Sequence, residues 1–242
     1  MIPFLTASYP KLDSTVELVL GAVDAGADMI EIGIPFSDPQ ADGPIIQAAS
    51  QKALNNGITL KTIFQQVKQI RNQTEVPIAL MGYYNPILKW GQEAFLNQCV
   101  SAGVDGLILP DLPLDEAKPF CKIARSKQVS PILLVAPNTS NKRIKQISET
   151  AGDLIYAVSI LGTTGNNLTS KDRLLEYLSR VREHSATQFV VGFGISTRND
   201  VEWVNEHADG AVIGSAIIKK MIGDSNPIEI IKELIQELKG TL

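Results

Sequence analysis

The chain has little of what a metal, disulfide or membrane protein needs. Of its 242 residues, two are cysteine and two are histidine. Cys99 and Cys121 form no CxxC pair and have no histidine companions. That argues against a zinc site or a disulfide framework and leaves reduced thiols that pack as small hydrophobes. No stretch approaches the roughly 20 apolar residues that span a bilayer. Residues 1–7 are too short an apolar run, and lack the basic leader, for a signal peptide. The formal net charge is −4 with no extended basic run, which makes nucleic acid and anionic membranes poor partners. A soluble, cytoplasmic protein without a metal is expected.

What is present is a regular alternation. With 44% hydrophobic residues the chain has ample material for a packed core. Short apolar runs at 2–7, 28–34, 77–82, 106–109, 131–135, 154–159, 189–193 and 210–214 show little polar alternation, as strands buried on both faces should. Helix-length amphipathic segments lie between them, at 14–25, 60–71, 93–102, 114–126, 142–150, 171–184, 198–206 and 227–238. Caps are expected at Asp13-Ser14, Thr59, Thr139-Ser140 and Ser170. Ala-Gly-Ala-Asp at 25–28, Ala-Gly-Val-Asp at 102–105 and Ala-Gly-Asp at 151–153 echo one another, as a glycine ending a helix before a strand would. Eight strand–helix units without a break in composition imply a parallel sheet with right-handed crossovers. Even spacing and the lack of an early GxGxxG turn favour a closed barrel over a doubly wound sheet. The expected fold class is α/β, a (β/α)8 TIM barrel forming one domain over residues 1–242, with its chemistry at the strand C-termini.

Strand side chains alternate, so Ile30, Ile32 and Ile34 share one face and Met29, Glu31 and Gly33 the other. The isoleucine face suits the surrounding helices, which turns Glu31 into the barrel near its mouth. A carboxyl that has lost water there gains pKa and suits proton transfer near neutrality. A buried ion pair is the alternative, but no expected strand contains lysine or arginine. The following loop, 35–44, holds three prolines with Asp38 and Asp42, either of which could be an ordinary turn residue. His184 and His207 fall at helix ends, away from the strand C-termini, which disfavours a histidine base. The lack of a strand lysine disfavours a Schiff base. Acid–base work falls to carboxylates, with Tyr83 or Tyr156 in reach.

Glycines cluster in the last third: Thr164-Gly165 after the sixth strand, Gly192-Phe193-Gly194-Ile195 after the seventh, and Gly214-Ser215-Ala216-Ile217 after the eighth. Backbone N–H groups can approach an anion there, a short helix starting at Ser215 would add its N-terminal dipole, and barrels commonly bind phosphate after strands seven and eight. The polar segment 160–168 reads as a loop able to close over a small phosphorylated substrate.

Glu31-Ile-Gly-Ile-Pro-Phe-Ser-Asp-Pro-Gln-Ala-Asp-Gly-Pro44 resembles the signature of the tryptophan synthase α subunit family. The likeness continues in order through Met81-Gly-Tyr-Tyr-Asn-Pro86, Pro110-Asp-Leu-Pro113, Thr164-Gly165, Gly192-Phe-Gly-Ile-Ser196 and Gly214-Ser-Ala216. The resemblance implies cleavage of indole-3-glycerol phosphate to indole and glyceraldehyde 3-phosphate, late in L-tryptophan biosynthesis. It makes Glu31 the general acid/base and Asp42 the acceptor of the indole N–H. It puts Tyr156 beside Glu31, and Phe4, Met81, Tyr83, Ile108 and Phe193 around the indole. Thr164, Gly165, Gly194, Gly214 and Ser215 fall to the phosphate end. It also implies a β-subunit partner, usually in an α2β2 assembly, contacted through Asp38, Pro39, Asn85 and Pro113. Pyridoxal phosphate belongs to that partner, and no cofactor is expected on this chain.

Relative to the family pattern, this chain starts almost on the first strand where members usually carry a short helix. Ser8 stands at a usual glycine position, and Ile160-Leu161 replaces a polar stretch of the closing loop. A stand-alone indole-3-glycerol-phosphate lyase keeps the same residues. A non-catalytic activator of a β subunit would not need both Glu31 and Asp42.

Overall fold

The computed structural model describes residues 1–159, 171–224 and 226–241. Strands and helices alternate in the order β1 (Ile2–Thr6), α1 (Ser14–Asp24), β2 (Ile30–Gly33), α2 (Pro44–Asn55), α3 (Leu60–Arg71), β3 (Ile78–Met81), α4 (Tyr84–Trp90), α5 (Gln92–Ala102) and β4 (Gly106–Ile108). They continue through α6 (Leu114–Ser126), β5 (Ser130–Val135), α7 (Asn141–Thr150), β6 (Leu154–Val158), α8 (Lys171–His184), β7 (Gln188–Gly192), α9 (Arg198–His207), β8 (Gly210–Ile213), α10 (Ser215–Met221) and α11 (Pro227–Lys239). The eight strands pair in sequence order, all parallel, and β8 returns to β1 to close the barrel. Closure leaves no free sheet edge, so the expected (β/α)8 barrel is what forms.

The strand ends are shorter than the apolar runs. Residues 28–29 and 34, for example, flank β2 rather than belong to it. The core follows from the double burial of parallel strands. Leu5, Ile30, Ile32, Ile78 and Leu80 are all fully buried, with large side chains that fill the layer between strands and helices. Inside the barrel, small residues make room for large ones. A Cβ added to Gly106 would meet the Ile132 side chain at 2.9 Å and Ala79 at 3.6 Å. The β-strand register explains this, because Ala79, Gly106 and Ser130 lie side by side on β3, β4 and β5.

Thr59 and Ser140 cap α3 and α7, accepting from the N–H groups of Thr62 and Arg143. Asp13 does not cap α1 with its side chain; Ser14 instead closes a local turn with Lys11. The cap expected at Ser170 lies outside the described residues. Of the three echoed glycines, Gly26 and Gly103 have φ of +92° and +82° and end their helices as expected. Gly152 has no positive φ; a Cβ there would fall on the Ser130 hydroxyl, so it serves close approach.

Two helices were not foreseen. Helix α2 begins with Pro44 at its first turn and buries Ile46, Ala49, Ser50 and Ala53, one helical stripe. It packs on β1 and α10, covering one side of the barrel mouth. Helix α4 is seven residues long, too short for a period to register. Among the described residues no helix is long and apolar enough to cross a membrane.

Candidate active site

The cavity at the C-terminal mouth is lined from several strands at once. Phe4 comes from β1, Glu31 from β2, Met81 from β3, Tyr156 from β6 and Val212 from β8. Alternation sends Ile30 and Ile32 outward and Glu31 inward, where it is 1% exposed. Phe4 is its register neighbour on β1. The loop after β2 then brings Asp42 back over the mouth.

The aromatic walls depend on glycines. The Phe4 ring lies over Gly33, whose added Cβ would overlap its Cζ. On its other side Phe4 approaches Gly214, where a Cβ would sit 3.3 Å away. Gly192 does the same for Tyr156, since a Cβ there would fall on the tyrosine hydroxyl. Tyr156 and Phe193 meet edge to face, 5.9 Å between centroids. Gly192 was grouped in the sequence with the anion-binding glycines. In three dimensions it makes room for Tyr156, whereas Gly194, Gly214 and Ser215 reach the cavity.

Among the described residues Glu31 makes no ion pair, and its Oε1 finds no hydrogen-bond partner despite full burial. Leaving such a buried acceptor unmet costs about 1–3 kcal/mol. Burial, reinforced by the charge of Asp42, pushes its carboxyl up to about 8. Burial also raises Asp42, to about 6, against the opposing effect of a hydrogen bond from Tyr83. At neutral pH one carboxyl therefore holds its proton while its neighbour is largely ionised. Two acids pushed apart in this way can play different roles. Tyr156 is raised well above its ordinary range, first by burial and then by Glu31 and Asp42, so it stays a neutral donor.

Phe4, Glu31, Asp42, Met81, Tyr156, Phe193, Gly194, Gly214 and Ser215 are thus brought to one cavity from distant parts of the chain. Tyr83 and Ile108 are buried beside it, but they are not among the lining residues. Thr164, Gly165 and the 160–168 loop lie outside the described residues. Ile46, Ile195 and Val212 line the cavity without having been singled out. For Ile46 the missed signal was the stripe of α2. Val212 is an inward strand position of ordinary apolar type. Asp38, Asn85 and Pro113 are exposed and Pro39 half-buried, on the 34–43 loop, on α4 and at the start of α6.

A closed (β/α)8 barrel with a proton-bearing glutamate opposite an ionised aspartate at its mouth is a barrel arranged for acid–base chemistry. A family model described as tryptophan synthase alpha chain matches residues 1–240. The chain belongs to the tryptophan synthase alpha chain family. The tryptophan synthase alpha chain of Petrotoga mobilis is 45% identical over 239 residues, covering 99% of this chain and 92% of its own. That of Alkaliphilus metalliredigens is 41% identical, covering 98% and 90%. A structure of the Pyrococcus furiosus tryptophan synthase α2β2 complex superposes with a TM-score of 0.92 at 40% identity. It covers 99% of this chain and 97% of that one. The alpha subunit of Legionella pneumophila matches with the same TM-score at 35% identity, covering 99% and 90%.

Proposed function

We propose that this chain cleaves indole-3-glycerol phosphate to indole and glyceraldehyde 3-phosphate by a retro-aldol reaction. The observation that carries the reading is the buried Oε1 of Glu31, without a partner among the described residues, facing a cavity that it shares with Asp42. A retro-aldol cleavage needs somewhere for the bond electrons to go, and indole can be that sink. Glu31, protonated at neutral pH, gives its proton to C3 of the ring. The positive charge spreads to the ring nitrogen, where the Asp42 carboxylate accepts the N–H and stabilises it. The side-chain hydroxyl next to C3 then returns a proton to Glu31 as its oxygen becomes the aldehyde carbonyl. The C3–C bond breaks and its electron pair neutralises the ring. Glu31 ends as it began, and the chemistry calls for no cofactor on this chain. General acid–base help of this kind contributes about 10²–10⁴ in rate.

Phe4, Met81 and Phe193 support the reading as apolar and aromatic surfaces for the indole. Gly194, Gly214 and Ser215, with Thr164 and Gly165, are assigned the phosphate end. The partner we propose is a tryptophan synthase β subunit that holds pyridoxal phosphate, met through Asp38, Pro39, Asn85 and Pro113 in an α2β2 assembly. The likeness to the Pyrococcus furiosus α2β2 complex supports the assembly.

Indole release is the test. Glu31→Gln and Asp42→Asn should each lose indole formation by at least 10²-fold, the lower end of what acid–base help supplies, while circular dichroism stays native. Near-normal turnover in either variant sinks the assignment. Measuring release with and without the β subunit distinguishes a partnered α subunit from a stand-alone lyase, whose rate the partner would leave unchanged.

A further inference from the structure

Tyr83, which the family likeness sets against the indole, holds contacts of a different kind in this structure. Its side chain is 6% exposed, yet it is not among the residues that line the cavity. Its contacts go instead to the loop that carries Asp42. The ring stacks on Phe36 at the start of that loop, with centroids 5.0 Å apart and planes at 26°. The hydroxyl oxygen accepts the backbone N–H of Ala41 at 2.9 Å. The same hydroxyl acts on the neighbouring Asp42 carboxyl and draws it down against the effect of burial.

One side chain therefore grips the loop at its start and at the residue just before Asp42. Its own base is firm. The next residue, Tyr84, starts α4, and its N–H donates to both oxygens of the Asp111 carboxylate at 3.0 Å. From the other direction, the Gln47 amide on α2 donates to the Asp42 carbonyl at 2.7 Å. The Asp42 backbone and side chain are thus fixed from two different elements.

We propose that Tyr83 is a positioning residue, which fastens the 36–42 loop and aims the Asp42 carboxylate into the cavity, rather than a wall of the indole pocket. This deepens the function proposed above and rests on it for its kinetic consequence. Among the described residues, the titratable groups that face Asp42 are Tyr83 beside it and Glu31 and Tyr156 across the cavity. Of these, Tyr83 is the one whose hydrogen bond favours the ionised form, as a donor to a carboxylate must. Losing that donor makes Asp42 harder to ionise, and the fraction of molecules with an anion facing the ring nitrogen falls.

The test is Tyr83→Phe, which keeps the ring and the Phe36 stack and removes the hydroxyl alone. Two readouts are needed: the titration of Asp42 followed by NMR with carboxyl-13C aspartate, and the pH profile of kcat/KM for indole release. We expect the Asp42 midpoint to rise from about 6 by about one pH unit, within the range hydrogen bonds produce. The acid limb of the profile should move with it. That gives about a fivefold loss of kcat/KM at pH 6 and little loss at pH 8. A uniform loss at every pH, with the Asp42 titration unmoved and indole binding weakened, is the pocket-wall result and overturns the proposal. A wild-type protein that releases no indole, but whose Asp42 titration still moves in Tyr83→Phe, defeats the proposed reaction and leaves the positioning role standing.

Discussion

Replacing Glu31 with glutamine should stabilise the protein at neutral pH while removing its chemistry. The native carboxyl is raised to about 8 from its ordinary value of 4.5. Between those values the native state holds a proton that the unfolded chain releases, so stability falls as pH rises across the window. Each pH unit is worth about 1.4 kcal/mol. From pH 4.5 to pH 7 the native protein thus gives up about 3 kcal/mol that glutamine, which does not titrate, retains. Below pH 4.5 both side chains are neutral in both states, and the two proteins should be equally stable. For a domain of this size about 3 kcal/mol corresponds to roughly 6–12 °C in Tm. Urea unfolding and thermal melts of both proteins between pH 4.5 and 8 provide the measurement. A stability difference that is flat across that range would refute the reasoning, because it would mean the Glu31 carboxyl titrates like an exposed one.

Other outcomes follow from packing and hydrogen bonding. Gly192→Ala puts a methyl group on the Tyr156 hydroxyl and should cost about 1–3 kcal/mol of stability. Adding Tyr156→Phe should recover part of that in a double-mutant cycle of chemical denaturation. Gly33→Ala pushes the Phe4 ring into the cavity and should raise the KM for the indole substrate more than it lowers kcat, as steady-state kinetics would show. Arg71 donates to the carbonyls of Gly103, Thr74 and Val76 and pairs with Asp105, at the end of the barrel away from the mouth. Arg71→Met should therefore cost roughly 2–3 kcal/mol in urea unfolding and leave kcat unchanged.

Much of the architecture was legible in local pattern. The order of strands and helices came from apolar runs alternating with amphipathic segments, and α3, α6 and α8 have the expected boundaries. The inward direction of Glu31 followed from period-two alternation in a single strand. Misreadings occurred where a signal was short or shared between meanings. Helix α2 begins inside a proline-rich loop, so its stripe was passed over. Glycine at a strand end means either an anion approach or space for a neighbour, and nothing within Gly192-Phe193-Gly194 distinguishes the two. The neighbour that decides it, Tyr156, belongs to the adjacent strand β6.

The sequence by itself determined that a carboxylate would point into the barrel and that no strand lysine or arginine would neutralise it. Both are properties of residues close together in the chain. Tertiary structure decided what that carboxylate became. Its elevated pKa comes from burial among strands drawn from the whole barrel and from Asp42 carried back over the mouth. Desolvation and charge coupling depend on everything within a few ångströms, whatever its position in the chain. Tyr83 illustrates the same division: its place after β3 could be read from the sequence, while its grip on the Asp42 loop required the closed barrel to bring β2 and β3 side by side.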